Sequence, residues 1–495
     1  MEAVRSAGPS IAHPDKFFID GEWVTPSSDD KFDVLDSGTE ERYLSVAAAR
    51  DSDMHRAIAA ARRAFDRGTW SLLSPGERAV YLNAIAKGLS ERAADFAQIW
   101  PRESGVVFQV AQHDGPLTAR TFAYYASLAD TFEFTERATP SAGGDYATLV
   151  REPVGVVGAI VPWNAPLTLI GYKVAPALLA GCTVVLKASP EAPGAAYVLA
   201  EIAAAAGLPP GVLNVVTADR DISELLVTSP DVDKIAFTGS TAAGRRIASL
   251  LGSRIGRYTL ELGGKSAAVI LDDMDIATAA ATVAGSECFL SGQVCASLTR
   301  VIVGKSRHDE MVEALAGTFS QVRVGDPFDA ETQMGPLATG IQRDRVEGYI
   351  RKGIDEGAVL ALGGGRPKNL ERGYYVEPTV FGRVDNHATI AREEIFGPVL
   401  SVIAAEDEDD AIAKANDTIY GLNASVFTND TDRAQQVARQ LRSGTVGHNA
   451  FRSDFGIAFG GFKQSGIGRE GGVEGLRAYL EPKTVILNGI PSDAR

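Results

Sequence analysis

The sequence predicts an α/β protein built from more than one domain. Short runs of β-branched and other apolar residues alternate with alanine-rich stretches along most of the chain, a pattern typical of parallel sheets flanked by helices. The chain has 495 residues, which is too many for one hydrophobic core and indicates two or three domains. Hydrophobic residues make up 45% of the chain and charged residues 22%, so an ordinary soluble globular protein is expected.

A doubly wound unit is predicted over residues 154–260. The alanine-rich stretch 195–206 predicts a helix that Gly207 ends, and Ile247 and Leu251 share one face of another predicted helix. Four apolar runs between and beside these helices are typical of buried strands, at 154–161, 183–186, 212–216 and 234–237.

A second α/β unit is predicted after the first, with a helix over 279–289. Its predicted strands are 266–271, 299–303, 396–404, 424–427 and 445–447. Two segments fit neither unit, namely the polar, strand-like segment 133–151 and the tail 483–495. Segments of this kind often pair with the sheet edge of another subunit, so we expect both to mediate assembly.

The charge and cysteine content narrow the classes of function. The formal net charge of −15 argues against a surface that binds nucleic acid or anionic membranes. Three cysteines cannot form a disulfide framework in a chain this long, so a reducing compartment is expected. Residues 1–18 lack the basic start and apolar stretch of a secretory signal. No run approaches the roughly 18–20 apolar residues needed to cross a bilayer, so we expect a cytoplasmic location and no membrane partner.

Neither zinc chemistry nor a serine hydrolase is indicated. None of the six histidines lies at metal-ligand spacing from another histidine or a cysteine, and the sequence contains no CxxC. No Gly-x-Ser-x-Gly stands between a predicted strand and a predicted helix. We therefore expect no metal site.

The stretch FTGSTAAGR at 237–245 is the candidate phosphate-binding loop. It follows a predicted strand and opens a predicted helix, where glycine permits close approach of the backbone and the helix N-terminus presents free N–H groups to an anion. Its glycines, Gly239 and Gly244, have the spacing Gly-x4-Gly rather than Gly-x-Gly-x-x-Gly. A strand-to-helix turn that uses glycine for packing explains the motif equally well.

Cys295 is the candidate nucleophile. It lies in SGQVCA at 291–296, just after a predicted helix, where small and polar neighbours indicate an accessible loop. A cysteine reacts as the thiolate, so its reactivity depends on a lowered pKa or a nearby base. Cys182 and Cys288 lie in stretches typical of packed core. Burial of Cys295 without a chemical role is the alternative that its local sequence leaves open.

Three further residues have both a chemical and a structural interpretation. Glu261, between two leucines and before a Gly-Gly pair, is either a solvent-facing strand residue or a partly desolvated base. Asn164, between Pro162 and Pro166, either directs its amide toward an oxyanion or forms an Asx-type turn. Lys187, at the end of a predicted strand, either lies where ligands bind in open α/β sheets or is a solvated charge.

Taken in their order along the chain, the stretches that contain these residues, together with several others, resemble the signature series of the aldehyde dehydrogenase superfamily. The series comprises FFIDGEW (17–23), PWN (162–164), KASPE (187–191), FTGS (237–240), LELGGK (260–265), GQVC (292–295), EEIFGP (393–398) and FGGFKQSG (459–466). It runs through nearly the whole chain, and agreement of all these stretches by chance is not credible. The resemblance favours the chemical interpretation for the matched residues, and only for those.

The resemblance implies oxidation of an aldehyde to a carboxylic acid through a thiohemiacetal and a thioester on Cys295. Glu261 looks like the base that activates the hydrolytic water, and the Asn164 amide with the backbone N–H of Cys295 looks like the oxyanion hole. NAD is the expected cofactor, with NADP possible. The implied cofactor contacts are Ile160, Pro162, Trp163, Lys187, Ser189, Gly239, Ser240, Gly244, Leu262, Glu394 and Phe396.

The resemblance also suggests a substrate pocket and an architecture. The pocket positions are Ala165, Thr168, Tyr172, Phe289, Val294, Ser453 and Phe459. Several are small and the phenylalanines are apolar, so a medium or large apolar aldehyde is expected. The implied fold has a Rossmann-type cofactor domain (1–132 and 152–262), an α/β catalytic domain (263–470) and a β oligomerisation arm (133–151 and 471–495), in a homodimer or homotetramer.

Three departures from the family pattern bear on specificity. Many relatives have a glutamate three residues after the lysine, where this chain has Pro190, so weaker exclusion of NADP is expected. Ala458 stands where proline is usual, and GHN at 447–449 differs from the commoner WVN, so the substrate entrance is expected to differ in shape.

Two alternatives remain beside this interpretation. An acylating dehydrogenase would pass the thioester to coenzyme A, but enzymes of that kind generally lack the water-activating glutamate, so Glu261 counts against it. A protein that keeps the fold and has lost catalysis would not be expected to retain Cys295, Glu261, Asn164 and Lys187 together.

Overall fold

The computed structural model describes residues 10–492, and the predicted segments that reach into 1–9 and 493–495 lie partly outside this range. The described strands form four sheets. In chain order they are β1 Phe17–Ile19, β2 Glu22–Val24, β3 Lys31–Leu35, β4 Arg42–Ala47, β5 Thr135–Ala138, β6 Tyr146–Pro153, β7 Val156–Ile160, β8 Thr183–Ala188, β9 Leu213–Thr217, β10 Lys234–Thr238, β11 Arg257–Glu261, β12 Ala267–Ile270, β13 Arg300–Gly304, β14 Val359–Leu362, β15 Thr379–Gly382, β16 Val399–Ala405, β17 Asn423–Phe427, β18 Thr445–His448, β19 Gly466–Ile467 and β20 Leu480–Leu487.

The helices between the strands are mostly amphipathic or alanine-rich, and several begin at a side-chain cap such as Ser240 or Asp219. In chain order they are α1 Asp51–Arg67, α2 Pro75–Glu91, α3 Ala93–Ser104, α4 Phe108–Ala111, α5 Asp114–Thr131, α6 Pro166–Ala180, α7 Gly194–Ala205, α8 Arg220–Thr228, α9 Thr241–Gly252, α10 Ile276–Cys288, α11 His308–Phe319, α12 Gly340–Asp355, α13 Thr389–Arg392, α14 Glu408–Asn416, α15 Thr431–Gln440 and α16 Gly472–Arg477.

The first sheet has the strand order β19-β11-β10-β7-β8-β9-β1-β2, and its five central strands are parallel. From β7 the chain proceeds outward through β8 and β9, then returns to the other side of β7 with β10 and β11. Ligands bind in open sheets of this kind beyond the carboxyl ends of the strands, where the order reverses. That crevice lies between β7 and β10.

Both faces of the first sheet are covered, as a doubly wound unit requires. Apolar side chains of α2, α3, α5, α6 and α7 pack on one face. Side chains of α1, α8 and α9 pack on the other. Because the central strands are buried on both sides, they are continuously apolar, and this explains why their positions were recognisable in the sequence.

The second sheet has the order β14-β15-β16-β13-β12-β17-β18 and is parallel except at β14. Helices α10 and α11 cover one face, and α12 to α15 cover the other. The structure corrects two predicted bounds. The strand predicted at 396–404 begins only at Val399, because Phe396 has a left-handed φ of 63°. The helix predicted over 279–289 begins at Ile276, where Asp275 caps its first turn, and ends before Phe289.

The third sheet consists of segments that the sequence assigned to neither α/β unit. β20 runs antiparallel to β6 along its whole length, and β5 pairs with the other edge of β6. Ion pairs of Arg151 with Glu136 and of Lys483 with Glu152 cross these strands. Within residues 10–492, the outer edges of β20 and β18 have no partner strand.

Two parts of the fold were not anticipated from the sequence. The N-terminal strands β1 and β2 extend the first sheet antiparallel to β9, and β3 with β4 forms a separate hairpin. Near the other end, β19 pairs with Leu260 and Glu261 of the first sheet, although the predicted boundaries put residues 263–470 in the second domain. No described helix has both the length and the apolar character that crossing a membrane requires.

Candidate active site

A cavity of about 960 Å³ opens beyond the carboxyl ends of β7, β10 and β11. Its walls bring together residues from both α/β units. They include Asn164, Glu261 and Cys295, and all seven of the predicted pocket residues Ala165, Thr168, Tyr172, Phe289, Val294, Ser453 and Phe459. Of the predicted cofactor contacts, Pro162, Trp163, Gly239, Ser240, Leu262, Glu394 and Phe396 line it, whereas Ile160, Lys187, Ser189 and Gly244 do not.

The loop that carries Cys295 is held in an uncommon backbone conformation. Leu290, Ser291 and Gly292 have consecutive left-handed φ angles of 52°, 55° and 72°. At Gly292 a Cβ atom would lie 2.4 Å from the carbonyl carbon of Gly397, so a side chain has no room there. Non-glycine residues adopt this conformation only when their surroundings enforce it.

Buried hydrogen bonds provide that enforcement. The fully buried Gln293 side chain donates to the carbonyl oxygens of Ser104 and Leu290 at 3.1 and 3.0 Å, and it accepts from Ala338 N at 2.9 Å. The Ser291 hydroxyl donates to a neighbouring loop carbonyl at 2.8 Å. The half-buried Cys295 thiol is therefore held in a loop, as its small neighbours predicted, and that loop is tied down by buried hydrogen bonds.

Asn164 lies beside this loop at the end of β7. Its amide Nδ2 donates to the carbonyl oxygen of Gln293 at 2.9 Å. The backbone carbonyl oxygen of Asn164 accepts from Trp100 Nε1 at 2.7 Å. The amide carries two hydrogens, and only one has an acceptor among the described residues. The arrangement fixes the side chain next to the loop of Cys295 and leaves one polar N–H without a protein partner.

Glu261 is the last residue of β11 and is almost fully buried. Its backbone carbonyl accepts from Gly239 N at 3.0 Å, while neither carboxylate oxygen has a hydrogen-bond partner among residues 10–492. Burial, and secondly the charge of Glu470, raise the pKa of Glu261 well above its ordinary value. A Cβ at Gly460 would lie 2.8 Å from Glu261 Oε1, so glycine at that position keeps the space beside the carboxylate open.

Behind Glu261 lies a buried network that was not predicted from the sequence. Lys173 is fully buried in the apolar helix α6, where its ammonium donates to Thr238 Oγ1 at 2.6 Å and pairs with Glu470. Glu470 is held in turn by two backbone hydrogen bonds to Phe459, at 2.6 and 2.8 Å. A lone lysine inside an apolar helix was the available signal, because a charge is buried only with a partner.

The thiol of Cys295 has an electrostatically unfavourable environment for ionisation. Burial raises its pKa, and the carboxyl groups of Glu394 and Glu261 raise it further. A resting neutral thiol is therefore expected, and attack on an electrophile requires that its proton leave toward a base.

The cofactor side of the cavity is formed by strand ends and by a helix N-terminus. Ser240 caps α9 by accepting from Ala243 N at 3.2 Å, and Gly239 precedes it. A Cβ at Gly244 would lie 2.5 Å from Leu262 Cδ2. Gly239 borders the cavity, as a glycine that lets a ligand approach the backbone would. Gly244 does not border it and instead allows the helix to pack closely on Leu262.

Lys187 and Ser189 lie further along the same edge. Lys187 is the last but one residue of β8, lies beside Ile160 of β7 and is nearly buried. Burial lowers its pKa to about 8, although the negative charges of Glu191 and Asp219 act to raise it. Its ammonium makes no hydrogen bond or ion pair with any described residue. A charge buried with no direct partner indicates room for a polar ligand.

Glu394 and Phe396 close the opposite end of the cofactor side. Glu394 Oε1 accepts from Gly264 N at 3.2 Å, and burial raises the pKa of this carboxyl to about 7. A Cβ at Gly263 would lie 2.3 Å from Glu394 Oε2, so a side chain there would displace the carboxylate. The ring of Phe396 meets that of Trp163 edge-on at 5.4 Å.

The substrate side is lined by aromatic rings from α6 and from the loop after β18. Tyr172, Phe455 and Phe459 form a parallel stack with centroid separations of 4.1 and 4.3 Å. Phe455, the middle ring, was not recognised in the sequence, and its only signal was its place in a loop that departs from the family pattern. A buried carboxyl, Asp114, also borders this side and accepts from the Thr168 hydroxyl at 2.7 Å.

The chain is similar in sequence and in fold to known proteins. The chain matches the model of the aldehyde dehydrogenase family over residues 23–485. Geranial dehydrogenase of Castellaniella defragrans is 46% identical over 473 residues, which are 95% of this chain and 98% of that protein.

Two solved structures are similar over almost their whole length. An aldehyde dehydrogenase of Mycobacterium tuberculosis complexed with NAD+ is 46% identical with a TM-score of 0.94, covering 97% of this chain and 99% of that one. A mutant of aldehyde dehydrogenase C from Pseudomonas syringae, complexed with NAD+ and octanal, is 40% identical with a TM-score of 0.94, covering 99% and 100%.

The fold and these similarities define an NAD-dependent oxidoreductase with a Rossmann-type cofactor domain and an α/β catalytic domain. The chain belongs to the aldehyde dehydrogenase family, and it oxidises aldehydes. The predicted family, fold class and cofactor NAD are thereby confirmed. Within residues 10–492, no group of three or more His, Cys, Asp or Glu side chains is arranged to hold a metal ion.

Proposed function

We propose that the chain converts a medium or large apolar aldehyde into its carboxylic acid through a thioester on Cys295. The observation that carries the proposal is the meeting of Cys295, Asn164 and Glu261 on one cavity wall, although they lie in separate segments of the sequence. Each residue is fixed by a different element, so the three groups keep one mutual arrangement.

In the first step the Cys295 thiol releases its proton to solvent and the sulfur adds to the aldehyde carbon, so that the C=O double bond becomes the C–O⁻ of a thiohemiacetal alkoxide. The negative charge that develops on the aldehyde oxygen is stabilised by the free N–H of Asn164 and the backbone N–H of Cys295. Loss of one such donor typically slows catalysis by roughly 10²–10³-fold. When bound, NAD+ would accept the hydride that the former aldehyde carbon gives up as its C–O⁻ returns to C=O, and the carbon that stays on the Cys295 sulfur would then be a thioester carbonyl.

Glu261 acts in the second step, which is hydrolysis. Its carboxylate removes a proton from water as the water oxygen attacks the thioester carbon, and the acid leaves as the thiol is restored. A carboxyl with a raised pKa is a stronger base once ionised, and the space kept by Gly460 accommodates the water. Lys173 and Glu470 act on Glu261 through their charges, since Glu470 raises the pKa of its carboxyl and Lys173 lowers it.

The residues of the cofactor side fit a dinucleotide. Gly239 and Ser240, with the free N–H groups of α9, would bind the pyrophosphate. Lys187 and Ser189 would bind the adenosine ribose, and Glu394 with Phe396 would orient the nicotinamide half. Pro162, Trp163 and Leu262 would form the walls around it, whereas Ile160 and Gly244, which do not line the cavity, would contribute through packing. NADP remains a possible second cofactor.

The substrate class is supported by the size and chemistry of the cavity. Its substrate side combines small residues, such as Ala165 and Thr168, with the aromatic stack, so an extended apolar chain can replace water there. Two relatives point the same way, since one is named for geranial and one was solved with octanal.

We also propose a homodimer or homotetramer with the domain boundaries predicted from the sequence. The support is the pair of unpaired edges on β18 and β20, because exposed strand edges are commonly covered by another chain. The exposed apolar side chains Ile486 and Leu487 of β20 would be buried by such contacts.

The test is to identify the product. Wild-type protein is incubated with hexanal and NAD+, NADH is followed by absorbance, and hexanoate is quantified by mass spectrometry. One hexanoate per NADH is expected, with neither yield changed by added coenzyme A. Formation of hexanoyl-coenzyme A would instead favour the acylating alternative, and NADH formation without hexanoate would refute the hydrolytic step.

A further inference from the structure

The carboxylates of Glu191 and Asp219 lie near enough to Lys187 to interact with its charge, and neither stands at position 190, where this chain has proline and many relatives have glutamate. We propose that Glu191 and Asp219 together set the preference for NAD over NADP by repelling a 2′-phosphate. The inference rests on the proposed function in one respect, namely that the adenosine ribose lies beside Lys187.

A tight turn explains how Glu191 reaches this position. Ala192 N donates to the carbonyl oxygen of Ser189 at 3.2 Å, which closes a β-turn with Pro190 and Glu191 at its centre. Proline favours the second position of such turns because its ring fixes φ. The turn folds Glu191 back, so that its carboxylate accepts a hydrogen bond from the Ser189 hydroxyl. The carboxylate that the sequence lacks at position 190 is thus supplied from the next residue.

Asp219 approaches the same place from the neighbouring strand. It lies two residues after the end of β9 and caps α8, where its carboxylate accepts from Ile222 N at 3.0 Å. Lys187 stands at the end of β8, next to β9, and interacts electrostatically with both carboxylates. In doubly wound folds an acidic side chain near this edge accepts hydrogen bonds from the ribose hydroxyls of NAD.

The charge balance at this edge is unfavourable for an additional phosphate. Lys187 contributes one positive charge, and Glu191 and Asp219 contribute two negative charges. The exposed Arg220 and Asp221, which begin α8, carry opposite charges and cancel in this balance. Arg50 lies near enough to Asp219 to interact with it, but its guanidinium is paired with Asp30 at 2.9 and 2.5 Å. A 2′-phosphate would enter a region of net negative charge and would displace the hydrogen-bond acceptors of the ribose.

The inference is tested by measuring cofactor binding rather than turnover. Dissociation constants for NAD+ and NADP+ are measured by isothermal titration calorimetry on the full chain, for wild type, Glu191→Gln, Asp219→Asn and the double variant. Wild type should bind NADP+ at least about tenfold more weakly than NAD+, since a charged hydrogen bond is typically worth about a factor of ten or more. Glu191→Gln should reduce this ratio several-fold, and the double variant should reduce it most.

A matched variant shows whether the effect depends on where the carboxylates lie or only on the total charge of this edge. Asp221→Asn removes an equal, exposed charge two residues beyond Asp219 and should leave the ratio unchanged. An equal change in Asp221→Asn, or an unchanged ratio in the double variant that still binds NAD+, would overturn the inference while the proposed catalytic function stood. Lys187→Met should weaken binding of both cofactors, and full affinity in that variant would refute the ribose position on which the inference rests.

Discussion

The two sides of the cavity are built in different ways. The cofactor side is formed by the ends of parallel strands and the start of α9, whose positions follow from the topology of the first sheet. The substrate side is formed by side chains of α5 and α6 and by the loop after β18, where Ser453 and Asp454 are exposed. Backbone geometry therefore determines the cofactor side, whereas side-chain identity determines the substrate side.

The difference indicates where substitutions should change chemistry and where they should change specificity. A strand end cannot move without disturbing a buried sheet, so changes there are expected to affect every substrate alike. The loop after β18 packs closely against Gly471 and Gly472, where added Cβ atoms would lie 2.1 and 1.8 Å from the carbonyl oxygens of Phe455 and Ile457. Changes in that loop are expected to affect large substrates more than small ones.

The largest effect is expected where the two sides meet, at the nucleophile. Cys295→Ala should lower NADH formation from hexanal by on the order of 10³-fold or more, because no other cysteine of the described chain lines the cavity. Affinity for NAD+, measured by calorimetry, should not change. Cys182→Ala is the control, since Cys182 is buried in the first core. Similar turnover rates in Cys295→Ala and Cys182→Ala would refute the assignment of Cys295 as the nucleophile.

The next largest effect is expected at the base. Glu261→Gln should slow steady-state turnover by roughly 10²–10⁴-fold, whereas the first NADH per active site should still appear as a rapid burst. Stopped-flow absorbance separates the two phases. Glu474→Gln, an exposed carboxylate paired with Arg477, is the control and should behave as wild type. A variant at position 261 with wild-type steady-state turnover would contradict the proposal.

The same residue predicts a pH dependence. The base must be ionised to accept a proton, and burial raises its pKa, so the rate limited by hydrolysis should increase as pH rises through that raised pKa. The Glu261→Gln variant should lose this increase. Steady-state rates across a pH series for both proteins provide the measurement, and an unchanged pH profile in the variant would assign the dependence to another group.

Substrate length tests the apolar side. Each buried methylene contributes about 0.8 kcal/mol, so kcat/KM should rise by up to about fourfold per carbon from acetaldehyde to hexanal, until the pocket is filled. Initial NADH rates at low aldehyde concentration give these values. A series that stays flat or falls would show that the loop after β18 closes the entrance.

The smallest effect is expected at the middle ring of the stack. Phe455→Ala should reduce kcat/KM for octanal about two- to tenfold, the size expected for lost aromatic contacts, and should leave acetaldehyde nearly unchanged. Ile457→Ala is the matched control, because Ile457 belongs to the same loop and is 73% exposed. Equal losses of kcat/KM for octanal and acetaldehyde would show that the loop maintains the whole site and does not discriminate between long and short substrates.

The parts of the site that could be predicted from sequence share one physical basis. Asn164 and Gly239 follow buried strands and Glu261 ends one, and the carboxyl ends of parallel strands meet at one edge of the sheet. Lys173 and Glu470 could not be paired in advance, because they are 297 residues apart and no periodicity links them. The carboxylate of Glu191 was missed because its position depends on a turn conformation rather than on spacing.

The short strand β19 has a consequence for the timing of turnover. The segment 459–470 begins at Phe459 on the substrate wall, pairs with Glu261 through Gly466, and ends at Glu470 beneath the base. An acyl group large enough to displace Phe459 would therefore also disturb the surroundings of Glu261, the base that releases it. Bulky acids should leave slowly from an enzyme that captures their aldehydes readily, so the thioester would accumulate during turnover of the largest substrates.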